Sequence, residues 1–273
     1  MSFRGSFLWA VVLLALVSCQ SNEKNIEVEV QKDVNVQTQA INAVLWHQTA
    51  AEYKALCYQT YNLAEMQLKK KLQNHAFPYE KPPAVVMDLD ETVVDNSFFN
   101  AQLILDNANF SKEKWKEWSD LMNAGEVPGA IQFIKFARAE GVKVIFISNR
   151  RVNELDNTMS NLEKLGLTEL DSNDFFLRSK EGSKANRRKM VSENYEIIML
   201  FGDNLADFTE LFDKQSLINR SALVDSLSTE FGSRFMVLPN VLYGEWEGAL
   251  FDYKYDWTPT QKDSIRKSHM SGF

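Results

Sequence analysis

Four aspartates follow closely after two apolar segments of the sequence. Asp88 and Asp90 follow residues 84–87, and Asp203 and Asp207 follow residues 197–201. A charged carboxylate behind a buried strand is costly unless it is paired, and several of them close together would repel one another. A hard divalent cation with oxygen ligands removes that repulsion, and Mg²⁺ suits a partly open site. A single aspartate there could instead cap a helix, but the set predicts a Mg²⁺ site.

The segments that must position these carboxylates are typical of buried parallel strands. Apolar runs rich in Val or Ile cover residues 84–87, 142–147 and 197–201, with weaker strand candidates at 175–177 and 235–238. Continuous runs of this length suit strands that are buried on both faces. Helical patterns at 131–140 and 152–165 lie between them and end at glycines. The alternation predicts an α/β fold with a doubly wound parallel sheet, helices on both faces, and ligands bound at the carboxyl ends of the strands.

Two further segments flank or interrupt the predicted sheet, whose α/β core we place at about residues 84–245. Residues 40–74 have apolar side chains at spacings of three and four, which predicts a helix or a helical hairpin as an N-terminal extension. Residues 97–127 are inserted after the first strand and contain Trp115 and Trp118. We expect this insertion to form a small helical cap over the edge of the sheet.

The start of the chain has the pattern of a processing signal. Arg4 precedes an apolar run of 11 residues at 7–17, and a membrane-spanning helix needs roughly 18 or more. The run has the length of the hydrophobic region of a secretory signal, and Leu16-Val17-Ser18-Cys19 resembles the bacterial lipoprotein box. An ordinary cleaved signal with an incidental cysteine is the alternative. We expect a signal peptide at 1–18, lipid on Cys19, a polar tether at 19–37 and one folded domain at 38–273.

The composition excludes several classes of protein. The 273 residues are 45% hydrophobic and 25% charged, which is typical of a globular protein and excludes a mainly disordered chain or a polytopic membrane protein. The net charge of −7 argues against a nucleic-acid binder. Two cysteines cannot form a disulfide scaffold. The three histidines fit no ligand spacing, so zinc is unsupported.

The sequence around the aspartates resembles a known superfamily. Residues 85–96 read Val-Val-Met-Asp-Leu-Asp-Glu-Thr-Val-Val-Asp-Asn and are similar to the first motif of the haloacid dehalogenase (HAD) superfamily of phosphohydrolases. Ile147-Ser148-Asn149-Arg150, Lys184 and residues 202–208 follow in the order of its later motifs. The pairing of Asp-Leu-Asp-Glu-Thr-Val-Val-Asp-Asn with Gly-Asp-Asn-Leu-Ala-Asp-Phe narrows the resemblance to the class C bacterial acid phosphatases. Pro128-Gly129-Ala130 and residues 238–247 are also similar to that family, and the resemblance spans about residues 40–250.

This resemblance implies an activity and a set of roles. It implies an outer-membrane lipoprotein that hydrolyses nucleoside 5′-monophosphates with Mg²⁺ through an aspartyl-phosphate, and it allows a homodimer. Asp88 would be the nucleophile, Asp90 the general acid and then base, and Lys184 the neutralising cation. Mg²⁺ would bind the Asp88 carboxylate, the Asp90 carbonyl and Asp203, with Asp207 in contact or just behind.

Substrate contacts are assigned on the same basis. Ser148 and Asn149 would bind phosphate oxygens, and Arg150 would either orient the substrate or pair with an acid. Trp115 and Tyr243 would sandwich a nucleobase or pack in the core, whereas Trp118 and Trp246 are expected to pack. Glu91 would hydrogen-bond its own loop, and Thr92 the loop or the phosphate.

Two other functions remain open on the sequence. One is a surface binding lipoprotein that captures haem or a nucleotide without turnover, although such a binder need not keep Asp88, Asp90, Lys184 and Asp203. The other is a phosphatase for sugar phosphates.

Overall fold

The computed structural model of the protein describes residues 36–73 and 79–273, with side chains from residue 38 onward. The predicted signal peptide, Cys19 and nearly all of the tether lie outside these described residues, as does His75. Within the described ranges, none of the helices combines the length and the apolar character needed to cross a bilayer.

A five-stranded parallel sheet forms the centre of the domain. In chain order the strands of the protein are β1 (Pro83–Met87), β2 (Val94–Asp95), β3 (Gly125–Glu126), β4 (Lys143–Arg151), β5 (Phe175–Arg178), β6 (Glu196–Gly202) and β7 (Phe235–Val237). The large sheet has the order β5-β4-β1-β6-β7, and every neighbouring pair is parallel. This confirms the predicted α/β fold and places β1 and β6, which precede the four aspartates, side by side.

Both faces of the sheet are buried, as the continuous apolar runs predict. Val85 and Met87 point into one core cluster, and Ala84 and Val86 point into the other. This alternation follows from the two-residue period of a strand. Helices cover each face: α2 and α5 contribute to the first cluster, and Val191 of α7 to the second.

The helices are α1 (Ile41–Thr49), α2 (Ala51–Gln73), α3 (Ser97–Leu105), α4 (Lys112–Leu121), α5 (Ala130–Ala139), α6 (Leu155–Lys164), α7 (Ala185–Asn194), α8 (Leu217–Ser226), α9 (Glu245–Leu250) and α10 (Pro259–Ser268). The N-terminal extension is divided at Ala50, whose extended backbone (ψ 124°) separates α1 from α2. α2 buries Tyr53, Cys57, Tyr61, Ala64 and Leu68. Their spacing of three or four places them on one side of the helix, against α5.

The insertion after β1 folds on itself. It contains α3 and α4, and its two ends are joined by the antiparallel pair β2 and β3, in which Val94 lies opposite Glu126. Helices therefore lie where the sequence predicts a helical cap.

One strand boundary differs from the prediction. We expected the chain to leave the sheet at Ser148-Asn149, but β4 continues to Arg151. The register between β4 and β5 shifts between Ser148 and Arg151. The strand therefore continues past Ser148 through an irregularity in its pairing, and the prediction of a strand end at Ser148 is wrong.

Candidate active site

A buried lysine joins two of the aspartates at the carboxyl edge of the sheet. Asp88 directly follows β1, and its N–H donates to the Phe201 carbonyl of neighbouring β6 (3.0 Å). Lys184, just before α7, places its Nζ 2.6 Å from Asp88 Oδ1 and 2.6 Å from Asp207 Oδ1. The three side chains are between 6% and 12% exposed. These two ion pairs are therefore largely shielded from water, which strengthens them.

Three carboxylates crowd around this lysine. Oxygens of Asp88, Asp203 and Asp207 all lie within 4.8 Å of one another. Burial raises the pKa of Asp88 to about 7; Lys184 opposes this shift, and Asp207 and Asp90 add to it. Burial, followed by repulsion from Asp207 and Asp88, also raises the pKa of Asp203 well above its ordinary value. The single positive charge of Lys184 therefore does not neutralise the three carboxylates, which would bind a further cation.

The donor set of the cluster fits a hard divalent metal ion. All three side chains offer carboxylate oxygens, which Mg²⁺ and Ca²⁺ prefer, and neither histidine nor cysteine belongs to the set. Asp88, Asp203 and Asp207 would hold such an ion.

The segment after β6 is shaped to bring Asp203 and Asp207 together. The Asn204 N–H donates to Asp207 Oδ2 (3.0 Å), which fixes the turn. A Cβ atom at Gly202 would lie only 2.2 Å from the same oxygen, so only glycine fits there. Asn240, which follows β7, donates through Nδ2 to Asp203 Oδ2 (2.6 Å). The sequence shows Asn240 only as part of a motif and gives it no role.

Asp90 lies on the other side of the site, held by a different set of donors. Arg150 Nη2 and Nε donate to Asp90 Oδ1 at 2.8 and 3.0 Å, and Asn96 Nδ2 donates to the same oxygen at 2.8 Å. Ser148 Oγ lies 3.5 Å from Asp90 Oδ2. Arg150 itself is 5% exposed and also donates to Thr158 Oγ1 (3.2 Å). Of the two roles expected for Arg150, the geometry shows the pairing with an acid.

Two tryptophans of α4 reach the groups around Asp90. The Arg150 guanidinium lies 5.6 Å from the centre of the Trp115 ring, and Trp115 Nε1 donates to Glu154 Oε1 (2.7 Å). Trp118 Nε1 donates to Asn96 Oδ1 (2.8 Å), and its ring packs against the main core, as expected. The hydrogen bond of Trp118 has no signal in the sequence, because its partner lies 22 residues away on another element.

The segment Ile147-Ser148-Asn149-Arg150 is held by an arginine to which the sequence assigns no role. Arg187 of α7 donates to the Ser148 carbonyl and, at 2.7 Å, to Asn149 Oδ1. It also reaches the Phe176 carbonyl (3.2 Å). Burial lowers the pKa of its guanidinium. Asn149 is exposed at the edge of the site, and Arg187 orients its side chain. Ser148 is buried beside Asp90.

The remaining predicted residues lie around this centre. Tyr243 is half-buried, and its carbonyl accepts from Trp246 Nε1 (3.2 Å). Trp246 is 42% exposed, so the expectation that it packs in the core is wrong. Glu91 is fully buried and accepts from the Asn96 N–H (2.8 Å), as expected for a residue that hydrogen-bonds its own loop. The Thr92 hydroxyl has no partner among the described residues, whereas its carbonyl accepts from Tyr61 Oη (2.6 Å).

Comparisons with known proteins agree with this geometry. A sequence model of the HAD superfamily, subfamily IIIB (acid phosphatase), matches residues 7–246. The structure is similar to that of the class C acid phosphatase from Bacillus anthracis, with a TM-score of 0.84 and 39% identity over 88% of this chain and 100% of that one. A structure of the Bacillus anthracis enzyme with tungstate bound matches equally, at 40% identity, with a TM-score of 0.84 and the same coverage.

Proposed function

The chain belongs to subfamily IIIB of the HAD superfamily and is an acid phosphatase that hydrolyses phosphomonoesters; on this premise we propose that it uses Mg²⁺, forms an aspartyl-phosphate at Asp88 and acts on nucleoside 5′-monophosphates. The single observation that carries the proposal is the arrangement of Asp88 and Asp90. Lys184 forms ion pairs with both Asp88 and Asp207. Asp90 is held separately by Arg150 and Asn96. Two carboxylates in such different surroundings suit a nucleophile and a proton carrier.

The chain's own residues account for both steps of the reaction. Asp88 attacks phosphorus, the bond from phosphorus to the ester oxygen breaks, and Asp90 gives that oxygen a proton. Asp90 then accepts a proton from a water molecule as the water attacks phosphorus, and the bond to Asp88 breaks. Lys184 favours the ionised form of Asp88 against the effect of its burial and neutralises the phosphoryl oxygens. Mg²⁺, when bound, supplies the positive charge that allows one anion to attack another.

The binding of an oxyanion has support from the relative. Tungstate, which the Bacillus anthracis enzyme binds, is a tetrahedral oxyanion like phosphate. In this chain the groups suited to such an anion are Lys184 and the polar atoms of Ser148 and Asn149 at the same edge of the sheet. The aromatic surface of Trp115 in the insertion supports a substrate with a nucleobase, since stacking tolerates every base.

A substrate panel tests the activity and its metal requirement. Initial rates should be measured on nucleoside 5′-monophosphates, sugar phosphates and glycerol phosphate, each with MgCl₂ and with EDTA. We expect turnover with Mg²⁺, highest kcat/KM on nucleotides, and loss of turnover in Asp88→Asn. Turnover that persists in EDTA would refute the metal requirement, and equal kcat/KM on nucleotides and glycerol phosphate would refute the nucleotide preference.

The covalent intermediate is tested by partitioning. If every substrate yields the same phosphoenzyme, added methanol must trap a constant fraction of the phosphoryl group as methyl phosphate, whichever leaving group the substrate carries. A fraction that changes with the leaving group would show direct attack by water instead.

For location, we propose that the mature protein is anchored in the cell envelope, in the outer membrane, by lipid on Cys19. The support is the sequence Leu-Val-Ser-Cys behind a short apolar run, since multiple acyl chains anchor a protein stably. The Cys19→Ser variant should move from the membrane fraction to the soluble fraction of the envelope. Retention of the variant in the membrane fraction would refute the anchor.

A further inference from the structure

The two oxygens of Asp90 are held unequally. Oδ1 accepts from Asn96 Nδ2 (2.8 Å) and from Arg150 Nη2 and Nε (2.8 and 3.0 Å). Oδ2 has only longer contacts, with Arg150 Nε (3.3 Å) and Ser148 Oγ (3.5 Å). Oδ1 is therefore the anchored oxygen, and Oδ2 is the one left to exchange a proton.

The amide of Asn96 can face Asp90 in only one orientation. Asn96 is fully buried, and its Oδ1 accepts from Trp118 Nε1 (2.8 Å). An indole nitrogen donates and never accepts, so the amide oxygen must face Trp118 and the amide nitrogen must face Asp90. The Asn96 main chain is held separately, because its N–H donates to Glu91 Oε1 (2.8 Å) and its carbonyl accepts from the Phe99 N–H (2.9 Å).

The second donor to Asp90 is supported from the same helix. Arg150 lies over the Trp115 ring at 5.6 Å, a distance at which the ring attracts a cation. Trp115 and Trp118 are three residues apart on α4 and therefore lie on the same side of it. Both groups that anchor Asp90 thus rest on α4.

We propose that α4 of the insertion positions the proton carrier of the reaction, chiefly through hydrogen bonds that run from Trp118 to Asn96 and from Asn96 to Asp90. Trp118 and Asn96 are positioning residues: they act on the substrate only through Asp90. The inference rests on the proposed role of Asp90 as general acid. On this proposal, the insertion contributes to proton transfer to the leaving group in addition to its role as a cap.

The proposal predicts a dependence on the leaving group. Alkyl alcohols are poor leaving groups and need protonation as the bond breaks, whereas nitrophenyl phosphate releases a stable nitrophenolate anion without it. A misplaced Asp90 should therefore lower kcat/KM for alkyl phosphates far more than for nitrophenyl phosphate. General acid catalysis contributes about 10²–10⁴-fold, so we expect Asp90→Asn to lose about that much on alkyl phosphates. Trp118→Phe removes one hydrogen bond and should lose about tenfold.

The experiment measures kcat/KM for a series of aryl and alkyl phosphates with four variants. They are Asp90→Asn, Trp118→Phe, Asn96→Ala and the double variant that combines Trp118→Phe with Asn96→Ala. Trp118→Phe removes the indole N–H and keeps an aromatic ring. Asn96→Ala removes the amide and leaves the main-chain bonds of Asn96 in place. If Trp118 acts through Asn96, the double variant should be no worse on alkyl phosphates than Asn96→Ala alone, because coupled residues are not additive.

Trp257→Phe is the matched control. The Trp257 indole N–H donates to the Phe251 carbonyl (3.5 Å), away from Asp90, so this variant should lower alkyl and aryl rates equally, if at all. A loss in Trp118→Phe and Asn96→Ala that is equal for both substrate types, or additive losses in the double variant, would overturn the proposal even if either variant is less stable. If Asp90→Asn itself shows no dependence on the leaving group, the general-acid role fails first and the inference fails with it.

Discussion

At the scale of single residues, Asp88 and Asp90 are held by different cations. Lys184 is placed on Asp88 and Arg150 on Asp90. A lysine is a compact charge, which leaves the other oxygen of Asp88 accessible, whereas the planar guanidinium fixes one oxygen of Asp90 with two donors. The choice of cation therefore follows the proposed role: a free lone pair for the nucleophile, and a fixed orientation for the proton carrier.

Glu91 gives a prediction about pH at the same scale. Burial, followed by repulsion from Asp90 and Asp203, raises the pKa of Glu91 well above its ordinary value. The folded protein therefore keeps this proton at a pH where the unfolded chain has lost it, and the free energy of unfolding falls as the pH rises above the unfolded pKa. Each such group contributes a slope of up to about 1.4 kcal/mol per pH unit.

Glu91→Gln removes this titration and keeps a carbonyl oxygen that can accept from the Asn96 N–H. The difference in free energy of unfolding between the variant and the wild type should therefore move in favour of the variant as the pH rises from 4.5 to 7.5. Urea unfolding in EDTA measures it, with Glu193→Gln on the surface of α7 as the control. A difference that stays constant over this range would contradict the prediction.

At the scale of elements, the apolar runs of the sequence are sufficient to locate the two strands that position the aspartates. β1 and β6 are short, buried on both faces and followed by aspartates, so their pattern and their edge of the sheet could be predicted from sequence. The two-residue strands β2 and β3 could not, since two residues show no period. Neither could the contacts of Asn96 and Arg187, because each joins elements distant in sequence, and no spacing along one helix encodes them.

The extension before the sheet is also part of the active-site architecture. Tyr61 of α2 stacks on Phe201 of β6, with ring centres 5.9 Å apart, and its hydroxyl donates to the Thr92 carbonyl in the loop after β1 (2.6 Å). This single side chain therefore links α2, the sheet and the loop that carries Asp90.

Tyr61→Phe tests this link. The change leaves the ring in place but removes the donor to the buried Thr92 carbonyl, which should cost about 1–3 kcal/mol of stability. We expect a lower urea midpoint and a lower kcat. Tyr58→Phe on the same helix is the control, since Tyr58 is 40% exposed and should change neither quantity. A Tyr61→Phe protein as stable as the control would show that water replaces the lost donor.

At the scale of the whole molecule, the net charge of −7 gives no indication of what the protein binds. The molecule is acidic, yet its substrates are anions. Lys184, Arg150 and Arg187 are collected at the carboxyl edge of the sheet, where the aspartates would otherwise dominate the potential. The aspartate cluster exceeds what Lys184 can neutralise, so the folded protein should gain stability when a divalent cation binds.

This gain can be measured without turnover. A ligand that binds only the folded state at about 100 times its dissociation constant adds about 2.7 kcal/mol of stability, which corresponds to a rise in Tm of roughly 5–10 °C for a domain of this size. We expect such a rise on adding MgCl₂ to EDTA-treated protein at neutral pH. The rise should be smaller at pH 5, because protons then compete with the cation for Asp88 and Asp203, whose pKa values are raised by burial. Asp203→Asn should lose most of it, whereas Asp225→Asn, which changes an exposed carboxylate of α8, should keep it in full. An equal rise in both variants would place the cation outside the cluster.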